Sequence, residues 1–288
     1  VTISSPAGAS AFRGTLLLLA AAIVWSTNGL FIKELQATGL SGMTIAGLRS
    51  LVAAICLAPI AVLRWRPVAD RDRLPTLVTV LLFTIMSATF VIATTMTTAA
   101  NAIILQYTAP AWVFVLSPFI VGERASARQW IAFVAAMGAV AFIFTMQFNT
   151  DRLGLLIGLA SGLIFGTQVV FFRRVRAVDP VALTAICCAV SAVVLTAIAL
   201  RTGLPALTAR MLILLFVTGA LQFALGYVLY AAGNRLVTAQ TAILIVMLEP
   251  ILNPVWVYLF RGEIPHWSTL AGGGLILAAV TYLSLLRD

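Results

Sequence analysis

Pro110 and Pro250 stand 140 residues apart, and the same offset joins a series of matches along the chain without a gap. Ala102 and Ile103 meet Ala242 and Ile243, and Gly122-Glu123 meets Gly262-Glu263. Further out, Gly14 meets Gly154, Ala20 meets Ala160, Thr27 meets Thr167, Phe31 meets Phe171, Thr44 meets Thr184 and Phe83 meets Phe223, with Lys33 opposite Arg173. Single matches arise by chance in an apolar chain, but a shared register does not. The chain reads as two copies of one unit, and its solvent limits what that unit can be. Hydrophobic residues make up 62% of the 288 and charged residues 9%, with a mean hydropathy of +1.09, outside the range of soluble domains. In hydrocarbon every backbone N–H and C=O must be satisfied inside its own element. Apolar runs of about 20 residues therefore predict spanning helices rather than a closed barrel.

The runs predict ten spans, at residues 15–33, 42–63, 75–97, 99–119, 127–146, 153–172, 180–200, 209–231, 237–259 and 267–286. Each unit holds five, an odd number, so the second copy enters the membrane upside down relative to the first. Inverted repeats are the mark of alternating-access carriers with substrate near the midplane. The expected fold is an all-α integral membrane protein of ten transmembrane helices in two inverted-topology five-helix repeats. We divide it into an N-terminal tail (1–13), a first repeat (14–146), a linker (147–152) and a second repeat (153–288). Arg13 ahead of an apolar run resembles a secretory signal. The run is too long, has no small-x-small cleavage site and is echoed later, so it is read as the first span.

Counting spans from a cytoplasmic N-terminus places twelve Lys and Arg residues inside and five outside, with Arg49 within a span. That bias predicts both termini in the cytoplasm of a bacterial-type inner membrane. The same charges lie singly or in short clusters between spans, so the formal charge of +9 is loop charge and not a nucleic-acid face. Cys56, Cys187 and Cys188 all fall inside apolar runs and His266 stands at a span edge beside Trp267. No metal site, cofactor or phosphate-binding loop is expected.

Residues 239–263 contain a contradiction that points to the site. An apolar run carries Glu249, Pro250 and Pro254 near its centre, and Glu249 lies next to the midpoint, Leu248, where a charge is most costly. Such a carboxylate needs a partner, a proton or a water-filled cavity. It could hold a substrate ammonium or exchange a proton; structurally it could satisfy the helix break or pair with Arg49. Asn253 and Trp256 follow at i+4 and i+7 on one face. Span 1 offers Trp25 and the polar run Ser26-Thr27-Asn28, whose partners are either substrate or neighbouring helices. Span 4 offers Gln106 and Tyr107, span 6 Gln168 and span 8 Gln222, while Tyr227 and Tyr230 suit an interfacial belt or an inner gate. The candidate substrate-binding set is Glu249, Asn28, Trp25, Tyr107, Gln106, Gln168, Gln222 and Asn253. Arg49, roughly 10 Å below the nearer membrane edge, is read as an ion-pair partner or snorkelling stem in preference to a substrate contact. Gly158, Gly162 and Gly166 predict a close face against the opposite half. Gly272-Gly273-Gly274 with Ala135, Ala136 and Gly138 predict tight packing of spans 10 and 5.

Four motifs then stand in order: Trp25-Ser26-Thr27-Asn28 with Phe31-Ile32-Lys33; Gly47-Leu48-Arg49; residues 99–110 leading to Gly122-Glu123-Arg124; and Leu248-Glu249-Pro250 leading to Gly262-Glu263. Over nearly its whole length the chain resembles the EamA unit of the drug/metabolite transporter superfamily. The resemblance implies a ten-helix carrier with a cavity lined by spans 1, 3, 4, 6, 8 and 9, often an exporter of amino acids or related metabolites. Ala189 stands opposite Arg49 and Ala109 opposite Glu249, so the halves are chemically unequal. The expected function is secondary export of small metabolites by alternating access, with neutral or aromatic amino acids as cargo. The alternative is proton-coupled efflux of lipophilic cations. A phosphate-bearing cargo would need several midplane cations where only Arg49 exists, and an intramembrane protease would need paired aspartates or a serine-histidine couple. The expected partners are a small-molecule substrate and the lipid bilayer, with protons as a candidate coupling ion and a monomer rather than a dimer.

Overall fold

The computed structural model describes residues 6–64, 66–97, 99–147, 152–175, 177–201, 203, 205–261 and 267–285. Gly262, Glu263 and His266 lie outside them. Every described element is helical. Span 1 comprises α1 (Pro6–Trp25) and α2 (Asn28–Ala37); spans 2 and 3 are α3 (Gly42–Arg64) and α4 (Asp70–Met96). Span 4 is broken into α5 (Ala99–Gln106) and α6 (Ala109–Ile120), and α7 (Ala127–Gln147) is span 5. In the second half α8 (Arg152–Arg174) and α9 (Pro180–Leu200) are followed by a composite span 8. It runs from α10 (Ala209–Phe216) through a π-helical segment (Val217–Leu225) into α11 (Gly226–Asn234). Span 9 is α12 (Ala239–Val246) and α13 (Glu249–Arg261), and span 10 is α14 (Trp267–Leu285). Seven of these stretches are long and apolar enough to cross a membrane, and three shorter apolar helices complete the ten. The first helix begins at Pro6 and takes in residues that the sequence assigned to the tail.

The repeat is visible in the breaks. The half-helices α5 and α12 begin at Ala99 and Ala239, α6 and α13 at Ala109 and Glu249, and α7 and α14 at Ala127 and Trp267, an offset of 140 each time. The cause is local. Pro110 and Pro250 have no N–H to offer the carbonyls four residues back, Gln106 and Val246, and their rings crowd those carbonyls. Each span therefore interrupts its hydrogen-bond ladder at membrane depth and leaves polar backbone there.

The helices pair across the two copies. The most extensive contacts are α3 with α9, α4 with α8, α7 with α14 and α1 with α11. Spans 2 and 7, and spans 5 and 10, meet their own equivalents; the 3–6 and 1–8 contacts are exchanged by the repeat. That is the pattern of a two-fold axis between inverted copies. Gly47 lets α3 close on α9, since a Cβ there would stand 2.8 Å from the Thr196 amide nitrogen. The stripe Gly158, Gly162 and Gly166 meets the opposite half as expected, seating α8 on broken span 4 around Leu105, Thr108 and Ala109. The expectation for spans 5 and 10 holds less well. The two helices do pack, with Phe142 edge-on to Trp267 at 5.5 Å, but a Cβ on Gly138 or Gly274 would meet no atom of the described residues within 4 Å. Those two glycines are not what brings the helices together.

The loops after α3, α6, α8 and α11 share one face: Arg64 approaches Asp179, Glu123 pairs with Arg173, and Gln129 donates to Thr238. This arginine-rich face also carries Arg13, Arg66, Arg71, Arg73, Arg124, Arg128 and Arg174. Around the belt between the two faces the exposed residues are apolar, among them Ile55, Phe119, Val134, Val193 and Phe260, as a lipid-facing surface requires.

Candidate substrate-binding site

Between the two repeats lies a cavity. Five residues of the candidate set line it: Trp25, Asn28, Gln106, Gln222 and Glu249. Met86, Phe90, Phe165, Phe223 and Tyr227 supply apolar and aromatic wall, and Arg49 supplies a second charge. The walls come from spans 1, 3, 4, 6, 8 and 9, the six that the resemblance implied, together with span 2 through Arg49.

Tyr107 stands behind Glu249 instead of on the cavity wall. Its Oη lies 2.8 Å from the Val246 carbonyl and 2.8 Å from Glu249 Oε2. Val246 O is the acceptor that Pro250 leaves without its helical donor, so a residue of the first repeat repairs the break in the second. A phenol has one proton and here two acceptors. Both contacts are satisfied in full only when the Glu249 carboxyl carries a proton and donates to Oη, leaving the phenol to donate to Val246 O.

Asn253 and Trp256 serve the other broken span. The Asn253 amide donates to Ser26 O at 2.8 Å and the Trp256 indole to Ser26 Oγ at 2.6 Å. The chain turns at Ser26-Thr27, whose hydroxyls donate to Ile23 O and Val24 O. Span 9 thereby holds the bend in span 1 that places Trp25 and Asn28 on the cavity. Gln168 is fully buried on α8 and does not reach the cavity wall.

Arg49 is drawn inward by packing that the sequence pattern does not show. Gly219, in the π-helical segment, leaves room for the Arg49 backbone: a Cβ there would stand 2.7 Å from Arg49 O. The guanidinium is 1% exposed, stacks over the Phe223 ring at 4.3 Å, and donates to Asn28 Oδ1 and Ser87 Oγ, each at 3.2 Å. It neither snorkels nor, among the described residues, forms an ion pair. The one signal in the sequence was its place in Gly47-Leu48-Arg49. Helical spacing alone did not say which face of span 2 turns inward.

Toward the arginine-rich face the cavity is closed by two layers that both repeats build. The first is aromatic. Trp25 of α1 packs on Tyr227 at 4.7 Å and Tyr230 at 5.0 Å, with Phe165 and Phe172 beside them. Gly226 makes the tryptophan's place, since a Cβ there would lie 2.3 Å from the indole nitrogen. The second is a polar latch. Glu123 Oε1 accepts from Arg173 Nε at 2.7 Å and Oε2 from the Ala239 amide at 3.0 Å, while Arg173 Nη1 donates to the carbonyls of Asn234 and Arg235. The carboxylate thus sits at the positive end of α12. Gln129 adds bonds to Thr238 and Thr241 at 2.8 and 2.9 Å.

A profile of the EamA-like transporter family matches residues 12–145 and again 152–285. An uncharacterized transporter of Archaeoglobus fulgidus is 24% identical over 269 residues, covering 93% of this chain and 94% of that protein. The pseudopaline exporter CntI of Pseudomonas aeruginosa is 26% identical over 278 residues, covering 94% and 95%. A solved crystal structure superposes with a TM-score of 0.79 at 16% identity, covering 94% of this chain and 96% of the other, a likeness of fold.

Proposed function

Because the chain belongs to the EamA-like transporter family, a family of membrane transporters of small metabolites, we propose that it exports neutral or aromatic amino acids by alternating access. The observation that carries the reading is one buried carboxyl, Glu249, in a cavity between two inverted copies whose wall combines aromatic rings with the amides of Asn28, Gln106 and Gln222 and with Arg49. A carboxylate there binds an ammonium, and the rings of Trp25, Phe90 and Phe165 suit an apolar side chain. The repeats, at residues 14–146 and 153–288, rock about the site so that it opens to one side at a time. Opening toward the arginine-rich face means parting the Glu123–Arg173 latch and then the Trp25–Tyr230 layer. The loop-charge bias puts that face, and both termini, in the cytoplasm of a bacterial-type inner membrane. Direction comes from the solute gradient, since the substrate binds both states. A relative named as an exporter supports outward flux. The test is uptake into inside-out vesicles or proteoliposomes across a panel of labelled amino acids; no flux for any member refutes it.

The geometry of Tyr107 favours a second reading, in which Glu249 trades a proton for a lipophilic cation. Two acceptors around one phenolic proton are best satisfied by a protonated carboxyl, which is the state a proton exchanger would hold when empty. In that case Glu249→Gln abolishes export of quaternary amines in a folded protein, and neutral amino acids do not compete.

A further inference from the structure

Arg49 is the cavity's second charge, and no carboxylate among the described residues forms an ion pair with it. Its hydrogen-bond partners, Asn28 Oδ1 and Ser87 Oγ, are neutral and stand at 3.2 Å, longer than the 2.7–2.9 Å usual for charge-assisted bonds to carboxylates. The Nε donor has no partner among the described residues. Gln222, 2% exposed and also on the cavity wall, has neither amide atom bonded among the described residues. Burying a guanidinium without an anion is costly, and the fork formed by Nε and an Nη takes a carboxylate or a phosphate side-on by two parallel bonds; a single cation on the wall matches the single charge of a carboxylate.

We propose that Arg49 and Gln222 form a carboxylate subsite in the cavity that also holds Glu249, so that its ligand carries both a carboxylate and an ammonium. The inference rests on the reading of this cavity as the transport site and narrows the cargo to zwitterions. With Glu249 ionised the walls carry one cation and one anion, and only a ligand of zero net charge leaves them balanced. A molecule with an ammonium alone satisfies Glu249 and leaves Arg49 unpaired beside a second positive charge. A carboxylate alone has the converse fault. The aromatic wall from Phe90, Phe165 and Phe223 is left for the side chain.

Three probes of one ring size separate the subsites: L-phenylalanine, phenethylamine with only the ammonium, and 3-phenylpropionate with only the carboxylate. Their binding to the purified full chain in detergent is measured by displacement of labelled phenylalanine and, where that label is lost, by calorimetry. Wild type is expected to prefer phenylalanine to either truncated probe by about tenfold or more. Arg49→Gln lowers phenylalanine and phenylpropionate affinity by about tenfold or more and leaves phenethylamine within about threefold; Arg49→Lys retains part of the preference. Glu249→Gln does the reverse, losing phenethylamine and keeping phenylpropionate. The proposal is overturned if Arg49→Gln weakens phenethylamine as much as phenylalanine, since Arg49 would then only hold the fold or pair with Glu249. It is equally overturned if wild type binds phenethylamine as tightly as phenylalanine, or binds no phenylalanine. Because binding is read without flux, failure of amino-acid export in vesicles is a separate result. It would remove the proposed cargo direction and leave the crossed losses of the two variants intact.

Discussion

Replacing Glu123 by glutamine should open the arginine-rich face, and the size of the effect follows from the contacts. The Glu123 and Arg173 side chains are 15% and 10% exposed, so solvent screens their 2.7 Å pair weakly. Glutamine keeps the shape but offers one acceptor oxygen where the carboxylate offers two. Either Arg173 Nε or the Ala239 amide then loses its acceptor, and the surviving bond is no longer charge-assisted. Losing the charge and leaving one donor unmet costs the closed state about 2 kcal/mol, or roughly 30-fold in the closed-to-open ratio. The assay places a cysteine at Ala231, buried on the Tyr227 face of α11, in a background lacking Cys56, Cys187 and Cys188. A membrane-impermeant maleimide is applied from the arginine-rich side. Labelling should speed up by about tenfold or more in Glu123→Gln. Glu34→Gln, which breaks the exposed Arg210–Glu34 pair, should leave it unchanged. If Glu123→Gln lowers the unfolding temperature and leaves labelling within about twofold, the latch stabilises the fold and does not gate it.

Other substitutions test the site and its scaffold. Tyr107→Phe removes the hydroxyl shared by Val246 O and Glu249, and should cost about 1–3 kcal/mol in detergent melting curves while weakening substrate affinity; unchanged melting would discount that contact. Gly226→Ala puts a methyl 2.3 Å from the Trp25 indole nitrogen, so it should push the ring into the cavity and raise KM with a stability loss of about 1–3 kcal/mol. Gly162→Ala places its methyl 2.6 Å from the Leu105 carbonyl and should destabilise by a similar amount. Gly138→Ala, with nothing within 4 Å, should instead raise the melting temperature through a helix-propensity gain of up to about 1 kcal/mol.

What could be read in advance was whatever chain chemistry decides locally. Pro250 announced the break in span 9, and its match Pro110 lies at the break in span 4, although Pro59 sits inside the unbroken α3; Glu249 announced a cavity because hydrocarbon does not tolerate a lone carboxylate. The angular facing of each helix was not local. Arg49 turns inward because Gly47 closes α3 on α9 and Gly219 admits its backbone, contacts with residues far along the chain. Asn253 reads as a ligand contact by its spacing from Glu249, yet it bonds Ser26 O, 227 positions away. The π-helical segment left no trace in its sequence, VTGALQFAL, which alternates apolar and small residues like any spanning helix.

That loosened winding of span 8 gives the carrier an unusual freedom. A helix wound with i→i+5 bonds holds more residues per turn than the tight form. Winding it into the tight form with all its residues kept would swing everything downstream by about 100° for each surplus residue, taking Tyr227 off the cavity and Tyr230 away from Trp25. The lipid would see the same greasy cylinder. The facing of Tyr227 and Tyr230 is thus set by how span 8 is wound as much as by its sequence, with every wall residue keeping its identity.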